Sequence, residues 1–268
     1  MKVLITGANG FIGKNLQLCL AARKDVEVVQ FTREHSLTEL PSLISNVGFV
    51  FHLAGVNRPQ DPAEFNAGNT ELTVALCTAL ARAAEVTGRK VPVVFTSSTQ
   101  AAFDSPYGVS KREAENALFA LQRQYGVPAH VFRLPNVFGK WCRPNYNSAV
   151  ATFCHNIARG LPIKVNDSAA PLTLAYVDDV LTRFVELMQG ADSTLNAQGF
   201  SLVAPQYYTT VGEVARLIHA FKDSRQTLMS ARVGTGLERA LYSTYVSYLP
   251  PEAFAYTVPM YGDSRGVF

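Results

Sequence analysis

The sequence predicts an α/β fold, a doubly wound parallel sheet with helices on both faces, on three observations. Apolar runs of strand length alternate with segments of helical period, three glycines spaced three apart stand where the first run gives way to the first helix, and no internal repeat interrupts the pattern. Strands are expected at Lys2 to Thr6, Val26 to Phe31, Gly48 to Leu53, Val91 to Thr96 and Val127 to Leu134, all rich in Val, Ile and Phe. Between them, Ala, Leu and Val recur three and four residues apart at Phe11 to Lys24, Glu64 to Val86 and Tyr107 to Tyr125, which predicts helices. The stretch between Phe31 and Gly48 is short and contains Pro41, so one strand and its crossover are expected to be reduced there. Beyond Leu134 the alternation fades, and Asn136 to Asn147 reads as an irregular loop over a site. Helices resume at Ser148 to Arg159, Asp178 to Gln189 and Thr210 to Phe221, and the aromatic tail from Leu241 onward reads as strand-like. Asp178 and Asp179 are expected to cap a helix start.

Bulk properties exclude several classes of function. With 268 residues, 48% hydrophobic and 17% charged, the chain has the side chains for a large core in one domain. The net charge of +3, from 24 basic and 21 acidic residues spread along the chain, lacks the clustered stripe that nucleic acid or an anionic membrane requires. Cys19, Cys77, Cys142 and Cys154 form no CxxC pair and no zinc spacing, so no metal is expected and the thiols read as reduced and mostly buried. The opening run breaks at Gly7, too early for a signal peptide or membrane span, and the expectation is a cytoplasmic protein.

The run Thr6-Gly7-Ala8-Asn9-Gly10-Phe11-Ile12-Gly13 follows a strand and opens a helix. In that context Gly7 serves a tight turn, Gly10 lets backbone approach a pyrophosphate, and Gly13 lets the helix pack close to the sheet. The second strand ends in Gln30-Phe31-Thr32-Arg33, with no carboxylate to receive an adenosine ribose. A guanidinium there suits the additional phosphate of NADPH (NADP), which makes Arg33, beside Thr32, the expected cofactor discriminator.

After the fourth strand come Ser97-Ser98, then Tyr107 and Lys111, four apart on one helical face. A lysine ammonium there favours the phenolate and is expected to lower the tyrosine pKa from about 10. Tyr107 is then a proton donor to a carbonyl oxygen, and Ser98 orients that oxygen.

The ordered set of the glycine run, His52-Leu53-Ala54-Gly55, Ser97-Ser98, Tyr107 to Lys111, Arg133-Leu134-Pro135-Asn136-Val137-Phe138-Gly139 and Tyr176-Val177-Asp178-Asp179-Val180 resembles the extended short-chain dehydrogenase/reductase family, a Rossmann-type fold. The resemblance implies that Asn9, Phe11, Ile12, Leu53, Ala54, Gly55 and Asn69 border the cofactor and that Asn136 helps hold a substrate diphosphate. It also implies one domain over 1–268, with a dinucleotide-binding core over about 1–135 plus parts of 136–180 and a substrate-binding region within about 136–268. A narrower set, His52 to Pro59, Phe138 to Ser148 and Leu241 to Tyr245, resembles the CapF-type capsular-polysaccharide enzymes. That resemblance implies NADPH-dependent reduction of the C4 keto group of a UDP-linked 4-keto-6-deoxy-N-acetylhexosamine, in capsule or O-antigen sugar synthesis. It further implies homodimers and a C-terminal cupin domain in full-length relatives. The present chain, stopping at Phe268, reads as a truncation or single-domain relative with the reductase half alone.

Several residues carry two readings. Lys140, Arg143 and Arg159 suit a diphosphate or are solvated loop cations. Trp141, Tyr146 and Phe138 stack on a base or sugar, or close the core under the loop. His52 reads as a structural histidine bonded to backbone. Two other functions compete: an NAD-retaining nucleotide-sugar epimerase or dehydratase, and a non-catalytic NADPH-binding regulator. Thr99-Gln100 replaces the Asp-Glu pair of look-alike dehydratases, Arg33 disfavours retained NAD, and the presence of both Tyr107 and Lys111 disfavours a regulator.

Overall fold

The structure is a computed structural model that describes residues 1–61 and 63–267. In chain order its elements are β1 (Lys2–Thr6), α1 (Phe11–Ala21), β2 (Glu27–Phe31), α2 (Leu40–Ser45), β3 (Phe49–His52), α3 (Ala63–Phe65), α4 (Leu72–Thr87), β4 (Val93–Ser98), α5 (Pro106–Tyr125), β5 (Ala129–Leu134), β6 (Asn136–Phe138), α6 (Ala149–Ala158), β7 (Pro171–Tyr176), α7 (Val177–Met188), β8 (Tyr207–Thr210), α8 (Val211–Thr227), α9 (Gly236–Ser247), β9 (Gly262–Asp263) and β10 (Gly266–Val267). The chain divides into two compact units, Met1–Val137 with Val177–Gln206, and Phe138–Tyr176 with Tyr207–Phe268.

The first unit is a five-stranded sheet in the order β2-β1-β3-β4-β5, every pair parallel. From β1 the chain steps to β2 on one side and then to β3 on the other. The carboxyl ends of β1 and β3 therefore flank the point where strand order reverses, the crevice in which open α/β sheets bind ligands. All four residues of β3 are buried, as continuous apolar strands covered on both faces must be. Side chains alternate by face. On one face Leu4, Val50, Val93, Phe95 and Val131 pack with Leu40 and Ile44 of α2, Leu76 and Leu80 of α4, and Leu118 of α5. On the other, α1 packs with α7, and Phe184 of α7 meets Phe51 at 6.3 Å and Phe132 at 5.1 Å between ring centroids.

The crossover from β2 to β3 is short, a 3-10 turn at Leu37–Glu39 followed by the six-residue α2. Pro41 lies in the first turn of α2, where a missing N–H costs nothing. The long helix expected from Glu64 is broken: α3 passes into a π-helical stretch, Asn66–Glu71, before α4 begins. Such widened turns place a residue off the regular helical face, and here that residue is the buried Asn69. Helix α5 starts one residue earlier than the periodicity predicts, because Ser105 caps it (its Oγ accepts from the Gly108 N–H at 3.0 Å) and Pro106 takes the first position. Asp178 and Asp179 stand in the first turn of α7, the favourable end of its dipole for acids.

In the second unit β7 pairs antiparallel with β8, a pair absent from the sequence-based expectation, and α6, α8 and α9 pack on one another. The strand-like reading of the tail is corrected: Gly236–Ser247 is a helix, and among the described residues that follow it strand occurs only in the two-residue arms β9 and β10. Tyr and Thr favour strands locally, but Ala240, Leu241, Thr244 and Tyr245 fall on one buried helical face. Phe221 of α8 meets Tyr242 at 5.3 Å and Tyr245 at 6.2 Å, so packing overrides propensity. Among the described residues no helix is long and apolar enough to cross a membrane.

Phe184, with no exposed surface, is the test of the aromatic layer. Phe184→Ala is expected to lower unfolding free energy by about 3–5 kcal/mol, read by urea denaturation.

Candidate active site

The turn after β1 is shaped by two close approaches. Gly7 has φ +70°, and a Cβ there would lie 2.6 Å from the Ala54 nitrogen. A Cβ on Gly13 would lie 2.3 Å from the Gly7 carbonyl oxygen. Between them the Gly10 N–H donates to the Gly7 carbonyl at 2.9 Å. Helix α1 then starts at Gly10 with no side-chain cap and no acid in its first turn, so its leading N–H groups face outward with the positive end of the dipole. Asn9 is exposed there, and Phe11 and Ile12 are half-buried.

At the end of β2 Arg33 is exposed, and among the described residues no carboxylate engages it. Thr32 is held instead: its N–H and its hydroxyl approach His35 Nδ1 at 3.2 and 3.1 Å. His35, whose ring also lies 5.5 Å from Phe31, was not singled out from the sequence. A hydroxyl and an imidazole three residues apart were the available signal.

Ser98, Tyr107 and Lys111 come together in the first unit. Ser98 ends β4, its Oγ accepts from the Gln100 N–H at 3.2 Å, and its hydroxyl is near enough to Tyr107 to act on the phenol. Lys111 is buried; its Nζ donates to the Thr96 carbonyl at 3.0 Å and stands 4.9 Å from the Phe95 ring centroid. Gly55 leaves room for it, since a Cβ there would be 2.9 Å from Nζ. Burial pulls Lys111 down to about 8, opposed by the charge of Glu115. The expectation of a lowered Tyr107 pKa is corrected: burial raises it, and the influence of the neighbouring Ser98 hydroxyl only partly offsets that. The ammonium is directed at the Thr96 carbonyl, and desolvation of the half-buried phenol dominates.

Glu115, one turn beyond Lys111, was missed. It is buried, accepts from Ser97 Oγ, and receives Arg133 through both carboxylate oxygens, from Nε at 2.9 Å and Nη2 at 2.7 Å. Arg133 in turn lies 4.0 Å from the Phe200 ring centroid. The signal was an acid four residues after the lysine, together with a cation in an otherwise apolar strand.

Asn69 is clamped on the backbone of Val56: Oδ1 accepts from its N–H at 2.8 Å, and Nδ2 donates to its carbonyl at 3.1 Å and to Ser110 Oγ at 2.9 Å. His52 is structural, but its partners are hydroxyls rather than backbone, Thr6 Oγ1 at 2.7 Å from Nδ1 and Thr73 Oγ1 at 2.8 Å from Nε2. Leu53 and Ala54 are half-buried, and Asn136 is exposed.

Lys140 and Arg143 belong to the second unit, where each lies over a neighbouring ring, Trp141 at 5.2 Å and Tyr146 at 5.1 Å. Phe138 is fully buried beside Tyr176, so of its two readings the core position holds. Trp141 and Asn145 both have left-handed backbone, φ 66° and 53°. Beneath this loop the buried Tyr248 hydroxyl donates to the Cys142 carbonyl and approaches that of Gly139 at 3.5 Å. Arg159 is exposed, and its Nη1 donates to the His155 carbonyl at 3.2 Å and the Tyr248 carbonyl at 2.8 Å.

A parallel sheet with a glycine turn at its switch point and a serine, tyrosine and lysine at its carboxyl edge defines the extended short-chain dehydrogenase/reductase class. The chain belongs to the NAD dependent epimerase/dehydratase family, whose model matches residues 3–201. It is 56% identical over 268 residues to the UDP-2-acetamido-2,6-beta-L-arabino-hexul-4-ose reductase of Pseudomonas aeruginosa, an alignment covering 100% of this chain and 70% of that one. The capsular polysaccharide assembling protein CapF from Staphylococcus aureus matches with a TM-score of 0.87 at 38% identity, again over 100% of this chain and 70% of that one. The UDP-glucuronic acid 4-epimerase of Bacillus cereus, solved with NAD, shares the fold at a TM-score of 0.72 and 17% identity, over 92% of this chain and 98% of that one.

Lys111 makes stability depend on pH in a defined direction. Its folded pKa, about 8, lies below the unfolded 10.5, so between these values the unfolded chain binds more protons and stability rises with pH. Urea denaturation of the wild type and Lys111→Met across that range is expected to show the wild type gaining stability relative to the variant as pH increases.

Proposed function

We propose that the chain is an NADPH-dependent reductase of the C4 keto group of a UDP-linked 4-keto-6-deoxy-N-acetylhexosamine, yielding a UDP-2-acetamido-2,6-dideoxy-talose type product. The observation that carries this reading is the meeting of Ser98, at the carboxyl end of β4, with Tyr107 near the start of α5, and Lys111 buried one turn along that helix. The relationship to the Pseudomonas aeruginosa reductase supports the choice of substrate class, and the family description supports a nicotinamide dinucleotide.

The chain fits such a cofactor: Gly7 and Gly13 maintain a cradle that side chains would fill, and α1 presents uncapped N–H groups to phosphate. Gly7, Asn9, Gly10, Phe11, Ile12 and Gly13 would hold the pyrophosphate, Thr32 and Arg33 the adenosine end, and Leu53, Ala54, Gly55 and Asn69 the nicotinamide half. When bound, the reduced nicotinamide supplies a hydride to the carbonyl carbon. Tyr107 supplies the proton to the carbonyl oxygen, and its raised pKa keeps the phenol protonated at neutral pH, the state a reduction needs. Ser98 donates a hydrogen bond to the same oxygen, and the Lys111 ammonium favours the phenolate that remains. Asn136, Lys140 and Arg143 are assigned to the substrate diphosphate.

Absorbance loss of NADPH against a panel of UDP- and dTDP-linked 4-keto sugars tests the reading. Stoichiometric consumption supports reduction; turnover with catalytic NAD supports epimerisation, and binding without turnover supports a regulator. Tyr107→Phe is expected to lower kcat by at least about a hundredfold while NADPH still binds, read by nucleotide fluorescence. Arg33→Ala is expected to raise KM for NADPH by about tenfold and leave that for NADH nearly unchanged, since one charge-assisted contact is lost from one cofactor only.

A further inference from the structure

His52 sits in a run of hydrogen bonds whose direction is determined by its two ends. Thr73 Oγ1 donates to the Asn69 carbonyl at 2.6 Å, which uses its only proton. At the 2.8 Å contact between Thr73 Oγ1 and His52 Nε2 the imidazole must therefore be the donor. Burial, reinforced by the Lys111 charge, pulls the His52 pKa down to about 3, so near neutrality the ring is uncharged and Nδ1 is bare. Thr6 Oγ1, 2.7 Å from Nδ1, is then a donor, and its oxygen accepts from the Ala54 N–H at 3.2 Å.

The run reads in one sense throughout: Ala54 N–H to Thr6, Thr6 to His52, His52 to Thr73, Thr73 to the Asn69 carbonyl. It resumes from the Asn69 side chain, whose Nδ2 donates to Ser110 Oγ at 2.9 Å, and Ser110 Oγ donates to the Tyr107 carbonyl at 2.9 Å. Its starting residue, Ala54, is the one against which Gly7 packs. Its last residue is the candidate proton donor. The intermediate residues come from β1, β3, the π-helical turn, α4 and α5, so the seam links the strand that leads into the glycine turn with the helix that bears Tyr107 and Lys111, all within the first unit. No member can be reversed without leaving a buried donor or acceptor unmatched.

We propose that His52 is a positioning residue: held as the Nε2–H tautomer, it keeps the glycine turn and the helix bearing Tyr107 and Lys111 in register, so that the dinucleotide seat and the proton donor share one geometry. The kinetic part of this proposal rests on the reductase reading above; the structural part does not.

Two experiments test it. In the cofactor-free protein, 15N-histidine NMR is expected to show one of the five histidines as an Nε2–H tautomer that does not titrate between about pH 5 and 9. In Thr73→Val, which keeps shape and removes the hydroxyl, backbone amides are expected to shift at both Ala54 and Ser110. A titrating His52, an Nδ1–H tautomer, or amide changes confined to the neighbours of Thr73 would each overturn the proposal. In steady-state assays Thr73→Val is expected to lower kcat about tenfold with KM for NADPH within about twofold, and Thr73→Ser to restore kcat. Wild-type kcat in Thr73→Val, with the fold retained, would also overturn it. Should the wild type reduce no keto sugar, the reductase reading falls while the NMR outcome still decides the seam.

Discussion

The approach of Gly7 to the backbone of Leu53 and Ala54 leaves no space for a side chain, and the site grows outward from that contact. It occurs where β1 and β3 lie side by side although the chain visits β2 between them, so it joins residues nearly fifty apart in sequence at the sheet's carboxyl edge. The first turn of α1 is thereby brought over the strand ends, and Gly13 lets that helix settle onto the turn itself. A methyl group at either position would push helix and sheet apart by more than a core packed to crystal density absorbs.

The second constraint is electrostatic. A buried lysine that donates to the Thr96 carbonyl would ordinarily surrender its proton, and Glu115 is the compensating charge. Glu115 is itself balanced by the two-pronged grip of Arg133, whose guanidinium rests on Phe200. The resulting sequence of charges, positive, negative, positive, leaves one net positive charge among these three side chains, and the Lys111 charge also helps keep His52 neutral. Tyr107 feels burial more than this surplus, because the ammonium is committed to the Thr96 carbonyl.

Much of this was legible in the sequence where the signal is local. The glycine spacing after an apolar run, the apolar runs of strand length and the four-residue interval from Tyr107 to Lys111 each encode geometry within one or two elements. What was hidden depends on distant partners. The helical state of Leu241 to Tyr245 is decided by Phe221, and local propensity points the other way. Nothing in Asn66 to Glu71 announces a π-helical turn; its effect is seen only when Asn69 meets Val56 and Ser110. Glu115 looks like an ordinary helix acid until β5 brings Arg133 against it, and Arg159 looks like a free cation until α9 ends at Tyr248. The direction of the Tyr107 shift failed for a related reason, since helical spacing predicts a neighbour's charge but not how deeply the phenol is desolvated.

Tyr248 bears on a different question, the entropy of recognition in the second unit. Its hydroxyl donates to the Cys142 carbonyl from below, and the Cys142 N–H closes the turn onto the Gly139 carbonyl at 3.4 Å, so the segment carrying Lys140 and Trp141 is fastened, with Trp141 held in a backbone conformation that a loose chain would rarely visit. A segment ordered in this way has already surrendered the freedom that a floppy loop loses on complex formation. Any molecule received there meets a surface set in advance, and more of the contact energy remains as affinity.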